Sequence, residues 1–153
     1  MRRRWVSSSG GSRTTSNRHF ANRRYDAGVI QTLGSTSVRS ALLVHAHPEP
    51  TSFSTAQAAA VTEELRRHGV AVRSIDLYTE GWDPVLSRGQ FSDSDVERHF
   101  KPQAEQVRAV ANGTLADPVK THLQQVEEAD LLVLSFPLWW FSMPAIMKGW
   151  VDR

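Results

Sequence analysis

The sequence predicts an α/β fold built as a doubly wound parallel sheet, and three observations carry that prediction. Residues 41–46 (ALLVHA), 70–77 (VAVRSIDL) and 131–136 (LLVLSF) are short runs dominated by apolar residues, the pattern of strands shielded on both faces. Helical patterns separate and follow them, and strand alternating with helix is how a parallel sheet is connected. Residues 1–38 show no sustained period of 2 or 3.6, so the folded domain is read as residues 39–153.

The leader, residues 1–38, mixes Arg2, Arg3 and Arg4 with serine-rich stretches at 7–12 and 35–37 and has few aliphatic residues, a disordered composition. Residues 1–40 hold eight Arg, no Lys and one acid, Asp26, so residues 41–153 are net negative although the whole chain carries +2. A basic face on the folded part, which nucleic-acid binding requires, is therefore not expected. An Arg-rich, Ser-rich, acid-poor leader also matches an organelle transit peptide, whereas a secretory signal needs an apolar region. The leader is read, in this order, as a misassigned start or a tail without function, a targeting peptide, or an anchor for acidic surfaces. The chain contains no cysteine, which excludes disulfides, thiolate zinc sites and a cysteine nucleophile and fits a cytoplasmic protein. The longest apolar stretch, residues 131–147, is interrupted by Ser135, Pro137, Ser142 and Pro144 and falls short of the roughly 18 apolar residues of a membrane span. No integral membrane segment is expected.

Each element has its own signal. The first strand, residues 41–46, runs into His47-Pro48. Residues 54–68 follow as a crossover helix with Ala58, Val61 and Leu65 on one side, ending at Gly69, where a left-handed cap is expected. Residues 70–77 are the second strand. Residues 78–118 are polar and punctuated by Gly81, Asp83-Pro84, Gly89 and Gly113, an excursion with one or two helices. Residues 119–128 read as a helix with Leu123 and Val126 apolar and Glu127 and Glu128 exposed. The third strand occupies residues 131–136, and a last helix covers residues 144–151 with Pro144 in its first turn.

Ligands of a parallel α/β sheet sit outside the carboxyl ends of the strands, and two loops leave such ends. The first, residues 47–54 (HPEPTSFS), has neither Gly-x-Gly-x-x-Gly nor a Walker lysine. Its hydroxyls, Thr51, Ser52 and Ser54, instead stand at a helix N-terminus, where unpaired N–H groups and the positive dipole end suit a phosphate. His47 offers a ring N–H. The competing reading is a plain helix cap by Thr51 or Ser52. The second loop, residues 137–144 (PLWWFSMP), puts Trp139, Trp140 and Phe141 directly after a buried strand. Such faces beside a phosphate site suit a flat heteroaromatic ring, while each aromatic alone is as well explained as core or dimer interface. His45, inside the first strand, reads as a packed core histidine, and Glu49 as a solvated loop charge.

Residues 46–54 (AHPEPTSFS), 76–78 (DLY) followed by 82–84 (WDP), and 136–153 (FPLWWFSMPAIMKGWVDR) closely resemble the NAD(P)H:quinone oxidoreductase family. The resemblance runs from about residue 41 to residue 153. It implies a flavodoxin-like fold, a homodimer binding FAD or FMN, NAD(P)H as co-substrate, and two-electron transfer to a quinone or other small electron acceptor. By the same resemblance, His47, Phe53 and Ser54 hold the flavin phosphate, with Ser54 in place of a more usual Asn. Pro137, Leu138, Trp139 and Trp140 fall on the segment whose amides approach the flavin ring. In some members a further flavin-contacting Gln lies in the excursion, a place open to Lys101 or Gln103. Lys148, Gly149 and Trp150 are read as helix packing. No acid, base or nucleophile is assigned.

Family members continue past the last motif with a glycine-rich flavin loop and a Tyr/His pair that assists hydride transfer. The sheet is therefore expected to be incomplete, with the first three of five strands, and residues 131–136 to lie at an open apolar edge where the complete order 2-1-3-4-5 would bury them. Poor stability and weak flavin binding are expected of the chain alone. Alternatives are an ancillary subunit that regulates a potassium-efflux channel through the same fold, a small electron carrier, and a degenerate product without function.

Overall fold

The computed structural model describes residues 37–94 and 97–153; nearly all of the leader, and Val96 in the excursion, lie outside the described residues. Strands β1 (Ser40–His45), β2 (Ala71–Asp76) and β3 (Leu131–Ser135) form one parallel sheet in the order β2-β1-β3. Leu42 stands opposite Arg73 and Leu132, and Val44 opposite Ile75 and Leu134. As the middle strand, β1 is shielded by a neighbour on each edge and a helix layer on each face, which is why residues 41–46 are all buried and why that stretch can be almost uniformly apolar.

The helices are α1 (Phe53–Arg67), α2 (Pro102–Asn112), α3 (Asp117–Glu127) and α4 (Ala145–Asp152). Successive strand residues point to opposite faces. On one face Leu42, Val44 and Ile75 form a core with Leu77, Trp82 and Met147, closed over by Val119 and Val126 of α3 and Ile146 and Trp150 of α4. On the other lies α1, whose buried residue is Ala58. Helix α1 ends as its sequence predicts, with Gly69 at φ 80° and its N–H on the carbonyl of Arg66 at 2.9 Å.

The excursion after β2 is folded back onto the core. Trp82 stacks on His122 with ring centroids 4.9 Å apart and carries the Arg153 guanidinium 4.7 Å from its own ring centroid. The Trp150 indole N–H donates to His122 Nδ1 at 3.2 Å, so the remaining ring proton sits on Nε2, 3.0 Å from a Glu80 carboxylate oxygen. Gly149 fits because it has no side chain, since a Cβ there would lie 2.3 Å from the Pro84 carbonyl oxygen. The packing role read for residues 148–150 is thus specific. Trp150 ties α4 to α3, Gly149 lets residues 83–84 approach, and Lys148 pairs with Asp152 one turn on.

Asp130 fastens the start of β3 to the start of β1. One of its carboxylate oxygens accepts from the N–H of Arg39 at 2.9 Å, the N–H of Ser40 at 3.0 Å and the Ser40 hydroxyl at 3.0 Å. The N–H bonds and then the hydroxyl bond hold this carboxyl below its ordinary range.

Two apolar helix residues are exposed. Val61 of α1 is 39% exposed and Leu123 of α3 is 36% exposed. Both flank β3, which pairs only with β1 among the described residues. Leu123, with Leu132 and Leu134, borders an apolar groove of about 470 Å³, while Val61 borders a smaller one of about 220 Å³ between α1 and β3. In α3 the buried position is taken by His122 instead. The expected open edge is present, with Leu132 43% and Leu134 37% exposed.

Candidate functional site: two loops at the carboxyl end of the sheet

Because β1 and β3 are adjacent and parallel, the loops that leave them emerge side by side. The Ala46 N–H donates to the Ser135 carbonyl at 2.9 Å, extending the strand pairing into both loops. Just beyond, the His47 and Trp139 rings meet edge to face with centroids 5.8 Å apart. The two segments singled out by their chemistry thus adjoin.

The first loop is organised by Glu49. Its N–H donates to His47 Nδ1 at 3.0 Å. The same nitrogen lies 3.1 Å from the Glu49 carbonyl oxygen, so Nδ1 is held against the Glu49 backbone and Nε2 is the ring nitrogen these contacts leave unused. The Thr51 N–H and hydroxyl both donate to Glu49 Oε1, at 2.9 and 2.6 Å. The Thr51 hydroxyl first, and then its N–H, hold the Glu49 carboxyl below its usual range. Ser52 is the N-cap of α1, its Oγ accepting from the Thr55 N–H at 3.1 Å. Phe53 and Ser54 are the first two residues of α1, and their N–H groups belong to the first turn, which a helix cannot pair internally. Phe53 itself is 77% exposed, and Ser54 is half-buried. Of the three hydroxyls read as phosphate donors, Thr51 and Ser52 are therefore engaged within the loop, and Ser54 stands at the helix start.

The second loop is a tight hairpin. Trp139 and Ser142 exchange both backbone hydrogen bonds at 3.0 Å, and the two residues between them, Trp140 and Phe141, have φ of 50° and 63°. Two positive φ values in a two-residue loop are the pattern of a type I′ turn, where Asn-Gly is the favoured pair. Left-handed backbone costs an L-residue about 1–2 kcal/mol, and such strain collects at functional sites. Trp140 and Phe141 are each 94% exposed, so neither is core. Trp139, 42% exposed, is the aromatic turned toward the first loop, with half-buried Pro137 and exposed Leu138 preceding it. Lys101 and Gln103 lie at the start of α2, where Lys101 is the N-cap.

Two participants were not singled out from the sequence. Glu49, read as a solvated charge, is exposed but is the acceptor that shapes its loop. His45 is 5% exposed, as a core histidine should be, but both ring nitrogens are bonded, Nδ1 to the Ser135 hydroxyl and Nε2 to the Thr55 hydroxyl, each at 3.1 Å. A histidine amid a wholly apolar strand was the available signal for it.

The arrangement offers an anion donors at the head of α1 and, beside them, an exposed aromatic and a run of backbone that can border a flat ring. These donors fit a flavin's phosphate and ring. No group of three or more His, Cys, Asp or Glu able to hold a metal occurs among the described residues, and no described helix is long and apolar enough to cross a membrane.

Comparison with known proteins agrees with this geometry. The family described as having a flavodoxin-like fold matches residues 39–153. NAD(P)H dehydrogenase [quinone] 1 of Cavia porcellus is 42% identical over 119 residues, 76% of this chain and 43% of that protein. Ribosyldihydronicotinamide dehydrogenase [quinone] of Rattus norvegicus is 40% identical over 75% of this chain and 50% of its own length. The chain thus spans about half the length of the curated relatives it matches. Among solved structures, a Klebsiella pneumoniae protein described as a candidate quinone reductase superposes with a TM-score of 0.72 at 36% identity, over 76% of this chain and 45% of that one. The NAD(P)H:quinone oxidoreductase of Methanothermobacter marburgensis gives 0.60 at 28% identity, over 76% and 53%. None of these relatives points to a potassium-efflux subunit. By family match, sheet order and paired loops, the chain belongs to the flavodoxin-like fold family, among the NAD(P)H:quinone oxidoreductases.

Proposed function

We propose that residues 39–153 carry the flavin-binding part of an NAD(P)H-dependent oxidoreductase that reduces quinones or a similar small acceptor by two-electron transfer. The observation that carries the reading is the meeting of His47 and Trp139, which joins a helix N-terminus suited to phosphate to an aromatic hairpin. In this reading His47 Nε2 and the N–H groups of Phe53 and Ser54 hold the phosphate of FAD or FMN. Pro137, Leu138, Trp139 and Trp140 border the ring, and Trp139 excludes water from the junction of the two parts. A bound flavin would supply the two-electron chemistry. Exposed Trp140 and Phe141 provide apolar surface for a homodimer, and the chain's lack of cysteine fits the cytoplasm. A channel-regulating role has no such observation behind it.

The test is a fluorescence titration of FMN and FAD with the whole chain, alongside circular dichroism. Saturable quenching with micromolar affinity is expected, because the site is built from two loops only. A folded spectrum with no quenching by either flavin would overturn the reading.

A further inference from the structure

The hydrogen bonds around His45 have a single consistent direction. Thr55 Oγ1 has three neighbours: the Glu49 carbonyl at 3.2 Å, the Ser52 hydroxyl at 2.9 Å and His45 Nε2 at 3.1 Å. The carbonyl can only accept, so the one Thr55 hydroxyl proton points to it. The other two neighbours must then donate to Thr55, and His45 therefore carries its proton on Nε2. In the neutral ring Nδ1 is left as acceptor for the Ser135 hydroxyl, 3.1 Å away. The chain runs from Ser135 through His45 and Thr55 to the Glu49 carbonyl, with every donor matched to an acceptor.

Its ends coincide with the two halves of the site. Ser135 is the last residue of β3 and leads directly into the Pro137–Ser142 loop. Thr55, with Ser52 and Glu49, forms the head of α1. His45 lies beneath both, 5% exposed, at the end of the middle strand. Beside it on the sheet, the Ala46 N–H donates to the Ser135 carbonyl, a backbone link that fixes β1 to β3 but does not reach α1. The side-chain chain does.

We propose that His45 is a positioning residue that sets the spacing of the phosphate-holding loop and the aromatic hairpin, and thereby the affinity for a flavin. The effect on affinity rests on the flavin reading above, whereas the coupling of the two loops does not. A leucine at this position would fill the core equally well, and polar atoms buried at a strand's end cost stability unless matched.

The experiment uses the whole chain with Ser135→Ala as the mild variant and His45→Leu as the severe one. Amide hydrogen exchange is followed at residues 52–56, whose own sequence neither substitution changes and which Ser135 does not contact directly. Losing one buried hydrogen bond, about 1 kcal/mol, predicts roughly fivefold faster exchange there in Ser135→Ala. In nitrogen-15 spectra of the wild type, the His45 imidazole should carry its proton on Nε2. FMN affinity should fall about fivefold in both variants. Unchanged exchange at residues 52–56, a proton on Nδ1, or wild-type FMN affinity in both variants would each overturn the proposal while leaving the flavin reading in place. If the folded wild type shows no quenching, the flavin reading falls by itself, and the exchange result still decides whether His45 couples the loops.

Discussion

With Nδ1 of His47 held against the N–H and carbonyl of Glu49, Nε2 is the ring nitrogen left to face a phosphate. Replacing His47 by alanine should therefore weaken FMN about tenfold or more, the worth of a hydrogen bond to a charged group. Riboflavin, which lacks the phosphate, should bind wild type and variant alike, and parallel quenching titrations check both. Asp130 makes a second prediction. Its folded-state affinity for a proton lies below that of an ordinary carboxyl, normally 3.8, because three donors converge on it. Stability from such a group is present above the unfolded value and lost as pH falls through the folded one. Thermal melts of wild type and Asp130→Asn should thus differ at pH 6 and converge as pH drops below about 4. At this scale the sequence disclosed the members of the loops, since His47, Ser54 and Trp139 lie in local motifs. It did not disclose partners far along the chain: His45 and Ser135 are 90 residues apart, and Ser40 and Asp130 likewise.

Helix α4 and the hairpin before it show opposite uses of backbone freedom. Alanine normally stabilises a helix over glycine by about 1 kcal/mol. At Gly149 the added Cβ would fall within 2.4 Å of Pro84 atoms, backbone included. Overpacking of this kind costs about 1–3 kcal/mol, and with rigid backbone as the obstacle the upper end applies, so Gly149→Ala should lose about 2 kcal/mol net in urea unfolding. The hairpin should respond in the other direction. Changing Trp140 and Phe141 together to Asn-Gly places the favoured pair in the left-handed positions and should gain about 1–2 kcal/mol. The same double variant should bind flavin more weakly. Elements themselves were legible: the three strands and helices α1, α3 and α4 exist with boundaries shifted by one or two residues, whereas α2 begins only at Pro102, well inside the polar excursion whose periodicity is weak. Helix α3 begins at Asp117, ahead of the Val119 start read from periodicity, because Asp117 and Pro118 satisfy a first turn that apolar spacing does not register. The left-handed pair was invisible, since nothing in Trp-Phe announces a turn.

For the molecule as a whole, the sheet order and the open edge followed from the sequence, but which side chains the edge would uncover did not. Apolar residues at 123, 132 and 134 look like core in any local pattern, and only the placement of β3 beside β1 alone leaves them at a groove. An unshielded apolar edge of this kind promotes association. Leu134→Lys should therefore lower light scattering of concentrated solutions relative to wild type, while leaving circular dichroism unchanged. The Asp130 clamp has a further consequence, for the order of folding. Joining β1 to β2 closes a loop of 31 residues and joining β1 to β3 one of 90, so the second closure loses about 1 kcal/mol more chain entropy than the first. The β1-α1-β2 unit is thus the natural nucleus, with β3 docking afterwards. Until β3 docks and Asp130 takes up the amides of Arg39 and Ser40, β1, apolar along nearly its whole length, has one edge unpaired.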